Sequence, residues 1–184
     1  METKGIIVKT KLDYFDGKNL MKEGTIRVGA SGLARYITNT RQFWGELMLG
    51  EEGFQSSTAT VLGTCTHFYG EDFITNGTVD EEEIEKYINK FPHLDQEFIR
   101  EQHPIMGGAL LDYIDTSLSG TLIPERFVFE EILPGIGVGG SIDLIAGDTI
   151  IDWKTTGATS APKTMSYQYK LQLLTYAWIL RKQG

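Results

Sequence analysis

The apolar positions of this chain follow a helical period for most of its first two-thirds, fall to a period of two, and then return to helix. From Ser31, a good N-cap, apolar residues at Leu33, Tyr36, Ile37, Phe43, Trp44, Leu47 and Met48 predict a helix that Gly50 and Gly53 end. A second helix is expected over Ala59 to Ile74, closing at Asn76-Gly77, and a short acidic one from Asp80 to Phe91, with Asp80 as its cap and Pro92 as its stop. His93 to Leu118 reads as one or two helices with Ile105, Met106, Leu110, Leu111, Tyr113 and Ile114 in the core and a bend at Gly107-Gly108. The period then changes. Arg126 to Leu133, Gly137 to Ala146 and Thr149 to Thr155 alternate as three strands, with Pro134-Gly135 as the first turn. A last helix over Ser166 to Lys182 places Leu171, Leu174 and Trp178 on its buried face and Gln168, Gln172 and Tyr176 on a polar stripe. Residues 1 to 29 alternate in places around Asp16-Gly-Lys-Asn and read as an N-terminal arm or hairpin. The expected fold is α/β: helices, then an antiparallel β-meander in a small mixed sheet, then a helix.

Chemistry concentrates in the last hairpin. Gly147-Asp148 is a two-residue turn signal between Ser141-Ile-Asp-Leu-Ile145 and Thr149-Ile-Ile-Asp-Trp153. That turn sets Ala146 opposite Thr149, Ile145 opposite Ile150, Leu144 opposite Ile151 and Asp143 opposite Asp152, with Lys154 on the face of Asp152. Two carboxylates about 5 Å apart at Cβ destabilise a sheet unless a cation lies between them. Two oxygen ligands with room for water and phosphate suit Mg²⁺ or Mn²⁺ better than zinc. Separate solvent-facing aspartates with a surface lysine also fit this pattern. Against that reading, Ile142, Leu144, Ile151 and Trp153 make the other face a core face, and Ile145 and Ile150 share the acidic one.

A length of 184 residues is enough for one domain with a real core, and one cysteine, Cys65, fits a reducing compartment such as the cytoplasm. No run approaches membrane-spanning length and no secretion signal is evident. The net charge of −8 argues against indiscriminate nucleic-acid binding. Its distribution matters more. Acids dominate from Asp80 to Glu101, whereas Trp153 to Gly184 carries Lys154, Lys163, Lys170, Arg181 and Lys182 with no acid, which fits a phosphate backbone drawn in over Lys154.

Asp143 followed by Asp152-x-Lys154 resembles the signature of the PD-(D/E)XK nuclease superfamily. Its neighbours are similar to the RecB-like branch: Gly140-Ser-Ile-Asp143 to the "G-x-I/V-D" strand, Ile151-Asp-Trp-Lys-Thr155 to the "D-Y-K-T" strand, Leu62-Gly-Thr-Cys-Thr-His67 to the "G-T-x-x-H" helix, and Gln172-Leu-Leu-Thr-Tyr-Ala177 to the "Q-L-x-x-Y-A" helix. Four motifs in family order cover the chain from about Val28 to its end. The resemblance implies a single domain over 1–184 with a restriction-endonuclease-like core: an arm or hairpin over 1–29, a helical part over 30–118 and a catalytic meander and helix over 125–184.

The resemblance further implies a Mg²⁺- or Mn²⁺-dependent deoxyribonuclease, an exonuclease rather than an endonuclease, acting in recombination, repair or phage DNA processing beside a helicase, recombinase or single-strand-binding partner. Asp143, Asp152 and Lys154 would be catalytic. The metal would be held by His67, Asp143, Asp152, the Trp153 carbonyl and Glu130, with Glu71 in support. Gln172, Tyr176 and Lys170 would touch DNA. With one cysteine the chain lacks the four-cysteine iron–sulfur cluster that some RecB-like nucleases carry. The family's sheet gains a further strand after this helix, where this sequence stops at Gly184, so a shortened version, a partner-completed sheet and a fragment all stay open. Two other classes also stay open: a non-catalytic nucleic-acid-binding module on the same fold, and an assembly protein whose acidic helices are its working surface.

Overall fold

The computed structural model describes residues 7–8, 26–41, 56–156 and 163–184. The elements are β1 (Ile7–Val8), β2 (Ile26–Gly29), α1 (Ala30–Thr38), α2 (Thr58–Asn76), α3 (Glu81–Ile88), α4 (Gln96–Ser117), β3 (Thr121–Leu133), β4 (Ile136–Ala146), β5 (Thr149–Ile151) and α5 (Tyr167–Gln183). The expected continuation of the first helix through Phe43, Trp44, Leu47 and Met48 lies outside the described residues, as do its stops Gly50 and Gly53.

The strands form one mixed sheet in the order β1–β3–β4–β2, with β5 also paired to β4. β3, β4 and β5 make the expected meander. β1 joins β3 in parallel at Ile7↔Thr121 and Val8↔Leu122, and β2 joins β4 in parallel from Ile26↔Ile136 to Gly29↔Gly139. The two N-terminal strands therefore pair with the meander and, among the described residues, form no hairpin with each other. The architecture is α/β, a small open mixed sheet flanked by helices.

By contacts the chain divides into two compact units. The first contains residues 56–125 and 143–159 with the N-terminal strand, the second residues 126–142 and 160–184 with β2 and α1. In the first, capping sets the helix starts. Ser57 Oγ accepts from Thr60 N at 3.2 Å, Asp80 Oδ1 from Glu83 N at 3.0 Å, and Asp95 Oδ1 from Phe98 N at 3.0 Å. Gly77 closes α2 at φ 74°, a conformation that favours glycine, and its N–H bonds the Phe73 carbonyl at 2.9 Å.

α2 packs on α4, and Gly107 is the reason they come so close. A Cβ there would lie 2.3 Å from Cγ of the Tyr69 ring. Helix α4 accordingly runs unbroken through Gly107-Gly108, where the glycine pair predicted a bend: the missing side chain serves the helix contact, not a break. The core of this unit holds Val61, Cys65, Tyr69, Ile84, Ile88 and Ile99, with a second cluster of Ile74, Leu110, Ile114, Leu122 and Leu144. Ile105 and Tyr113, expected in the core, are exposed instead, because the covered side of α4 is that of Gly107, Leu110 and Ile114. Burial pushes the Cys65 thiol up to about 11, so it packs as a small apolar side chain.

In the second unit α1 packs on α5. The buried side of α5 is Thr175, Tyr176 and Ile179. This corrects the expectation from periodicity, because Leu174 is 66% and Trp178 40% exposed, whereas Tyr176, expected on a polar stripe, is 4% exposed. The cause is local. Gly140 leaves a gap in β4 that the Tyr176 ring fills, its hydroxyl 2.9 Å from where a Cβ would sit. That fit turns the neighbouring Leu174–Trp178 face outward.

Gly107→Ala should force the Tyr69 ring out of its seat and destabilise the protein by about 1–3 kcal/mol, the usual effect of overpacking. A urea or thermal unfolding curve reads this directly, and unchanged stability would mean that α2 and α4 are not in this close contact.

Candidate metal centre

The hairpin register matches the turn signal. Ala146 pairs Thr149, Ile145 pairs Ile150, and Leu144 pairs Ile151. The ladder stops there, although the sequence predicts β5 to continue to Thr155. The reason is Asp143, whose Oδ2 accepts the Trp153 N–H at 2.7 Å, so a side chain takes the donor of the next backbone rung. The Trp153 ring packs against the cluster of Leu110, Ile114 and Leu144, and meets Tyr113 edge-on with centroids 6.1 Å apart. Asp152 and Lys154 flank this anchor and pair with each other through Asp152 Oδ2 and Lys154 Nζ. The Asp152 side chain is 7% exposed and that of Lys154 37%.

Helix α2 brings the histidine. Gly63, His67 and Gly70 are spaced by four and three, so they share one helix face. Both glycines are tight contacts. A Cβ on Gly63 would come within 3.0 Å of Thr155 Oγ1, and one on Gly70 within 3.1 Å of Leu110 Cδ2 and 3.5 Å of Trp153 Nε1. The helix can thus lie close against residues 153–155, which sets His67 Nδ1 at 3.7 Å from Asp143 Oδ1.

Glu125 is the residue that sequence reasoning missed. One ligand atom each from His67, Glu125 and Asp143 lie within 4.8 Å of one another. Glu125 sits just before the run from Arg126 to Leu133 that read as a strand, and β3 begins five residues earlier than that run, at Thr121. It has φ 47°, a left-handed conformation for a non-glycine residue inside a strand. Such strain concentrates at functional sites, but nothing in the residue pattern announces it. One nitrogen and two carboxylate donors at this separation fit a divalent cation.

His67 and Glu125 of this group line a groove of about 430 Å³ whose walls also include Thr60, Gly63, Thr64, Glu71, Trp153 and Lys154. The electrostatics agree with a cation-accepting centre. Burial first, then the neighbouring Asp152 charge, raise the Asp143 carboxyl above its ordinary 3.8, against the opposing pull of His67, the Trp153 N–H and Lys154.

Of the residues expected at the site, His67 and Asp143 are brought together, while Asp152 is joined to Lys154 and stands outside the three-ligand group. Glu130 is likewise outside that group, a half-buried residue in the part of β3 that belongs to the second unit. Lys170 is exposed and Gln172 half-buried on α5 of that unit, and Tyr176 is buried there.

The profile of the PD-(D/E)XK nuclease superfamily matches residues 27–184, and the chain belongs to this superfamily. Neither the comparison with curated proteins nor that with solved structures finds a match. Membership implies metal-dependent nuclease chemistry with DNA as substrate, and His67, Glu125 and Asp143 form a group able to hold the metal. No helix among the described residues is long and apolar enough to cross a membrane.

The raised Asp143 carboxyl has a consequence for stability. The folded chain holds this proton more tightly than the unfolded chain, so through this group acidification favours folding, and the benefit is lost as pH rises through the folded-state value. Metal-free Asp143→Asn should therefore melt above the wild type at neutral pH, with the gap closing on acidification toward 3.8. Added Mn²⁺ should raise the melting temperature of the wild type and not that of the variant, as differential scanning fluorimetry would read.

Proposed function

We propose that the protein is a metal-dependent deoxyribonuclease of the RecB-like branch, using Mg²⁺ or Mn²⁺ and acting as an exonuclease in DNA recombination, repair or phage DNA processing. The observation that carries the nuclease reading is the gathering of His67, Glu125 and Asp143, with the Asp152–Lys154 pair near Asp143 and with His67, Glu125 and Lys154 lining one groove. The branch and the exonuclease preference rest on the order and wording of the four sequence motifs.

His67, Glu125 and Asp143 would hold the cation, with Asp152 and the Trp153 carbonyl as further ligands. A cation held there supplies Lewis-acid polarisation of the scissile phosphate and a bound water of lowered pKa. The chain's own groups do the rest. Lys154 donates to the attacking water or to a phosphate oxygen, placing positive charge where negative charge develops. Asp152 orients that ammonium. The Trp153 N–H holds Asp143 in one rotamer, so its other oxygen stays turned toward His67. Gln172 and Lys170 are proposed to contact DNA, Lys170 through phosphate, and Tyr176, buried against Gly140, to fix the helix that carries them.

The test is cleavage of end-labelled linear single- and double-stranded DNA beside closed circles, in Mg²⁺, Mn²⁺ or EDTA. Metal-dependent loss of linear DNA alone is the expected result, and nicked circles would make the enzyme an endonuclease. Asp143→Ala, Asp152→Ala and Lys154→Ala should each slow cleavage by at least about 10²-fold with the fold retained. A Lys154→Ala protein that cuts as fast as the wild type would remove this mechanism.

A further inference from the structure

The outward turn of α5 leaves a second feature, within the second unit. Leu171, Leu174 and Trp178 line a cavity of about 390 Å³ together with Val28, Leu33, Ile132 and Val138, and Thr175 is the one hydroxyl-bearing residue among the described lining. A second cavity of about 410 Å³ shares Leu174 and Trp178 and ends at Arg181 and Lys182. The two make one groove, apolar at one end and cationic at the other. An exposed leucine and tryptophan at helical spacing over an apolar hollow form an unusual patch for a soluble surface. Trp and Arg are also the residues on which binding energy concentrates in protein interfaces.

The charge around the groove selects the occupant. The chain carries −8 overall, yet the described stretches of this unit hold more Arg and Lys than acid, and their acids are Glu130 and Glu131 alone. Glu131 is engaged locally, its Oε1 accepting the Gly135 N–H at 2.8 Å. We propose that this groove docks an acidic, apolar peptide segment of a partner protein. Apolar side chains would enter between α1, the sheet and α5, and carboxylates would meet Arg181 and Lys182. A nucleic-acid strand fits less well, because the described lining of the apolar cavity offers it no cation. A symmetric pairing of two copies through this face would set two like-charged units against each other.

The experiment passes two synthetic peptide pools over the immobilised protein and identifies retained peptides by mass spectrometry. One pool mixes Asp and Glu with Phe, Leu and Ile, and the other replaces the acids by Lys and Arg. Selective retention of the acidic pool is expected. A retained peptide, fluorescein-labelled, should bind with anisotropy that salt weakens, and its affinity should fall at least tenfold in Leu174→Glu and in Arg181→Glu/Lys182→Glu. Leu174 is already exposed, so its variant should keep the wild-type melting temperature and metal-dependent DNA cleavage. Equal retention of the two pools, or affinity unchanged in both variants, would overturn the proposal. So would a wild-type dimer in sedimentation that Leu174→Glu dissolves, which would assign the groove to a second copy. Displacement of the peptide by a single-stranded oligonucleotide whose own binding is lost in Leu174→Glu would assign it to DNA. Because the readout is peptide binding, a protein that proves inactive as a nuclease can still pass or fail it.

Discussion

The hydrogen bond from the Trp153 N–H to the Asp143 carboxylate is the constraint on which the centre depends. It ends the β4–β5 ladder at Ile151 and frees the following residues from sheet geometry. It also locks one oxygen of a buried carboxylate, leaving the other directed at His67. The Trp153 ring holds the same peptide unit from the opposite side, wedged into the apolar cluster against Tyr113. One residue is thus fixed by its backbone to the acidic side and by its side chain to the core. Asp152 and Lys154, its two neighbours, inherit their positions from it.

A buried carboxylate beside another carboxylate is an unfavourable arrangement in the absence of a counter-charge. The chain meets it in part with His67, Lys154 and a backbone N–H, and Asp143 nonetheless remains a weaker acid than an ordinary aspartic acid. Residual unfavourable charge of this kind is what gives a centre affinity for a divalent cation, since the ion relieves it. Glu125 adds a further negative charge from a strained backbone position, a cost that a purely structural strand residue would have no reason to carry.

Close approach of α2 to this segment rests on absent side chains. Gly63 and Gly70 bracket His67 on one helix face, and each lies where a methyl group would crowd Thr155, Leu110 or Trp153. Gly107 does the same for the contact of α2 with α4, so the helix bearing the histidine is seated on two sides through glycine contacts. The glycine of the Gly-Thr-x-x-His motif therefore has a packing role that is distinct from the chemistry of the histidine.

Elements whose cause is local can be read from the chain alone. Ser57, Asp80, Asp95 and Ser166 cap their helices by their own hydroxyl or carboxylate, and Gly147-Asp148 dictates the hairpin register because a two-residue turn allows little else. Asp143, Asp152, Lys154 and His67 were legible as a motif because their spacing is fixed by that turn and by one helix. Only the tertiary structure decided the rest. Glu125 joins His67 and Asp143 through the course of β3, 18 residues from Asp143 in the chain, with no period or turn to reveal it. The buried face of α5 was set by a tyrosine ring that fits over a glycine in a strand, and this outweighed the apolar period that pointed Leu174 and Trp178 inward. Local pattern records what a residue prefers. Which of two apolar faces is covered, and which distant carboxylate completes a centre, depends on the shape of what the chain places opposite.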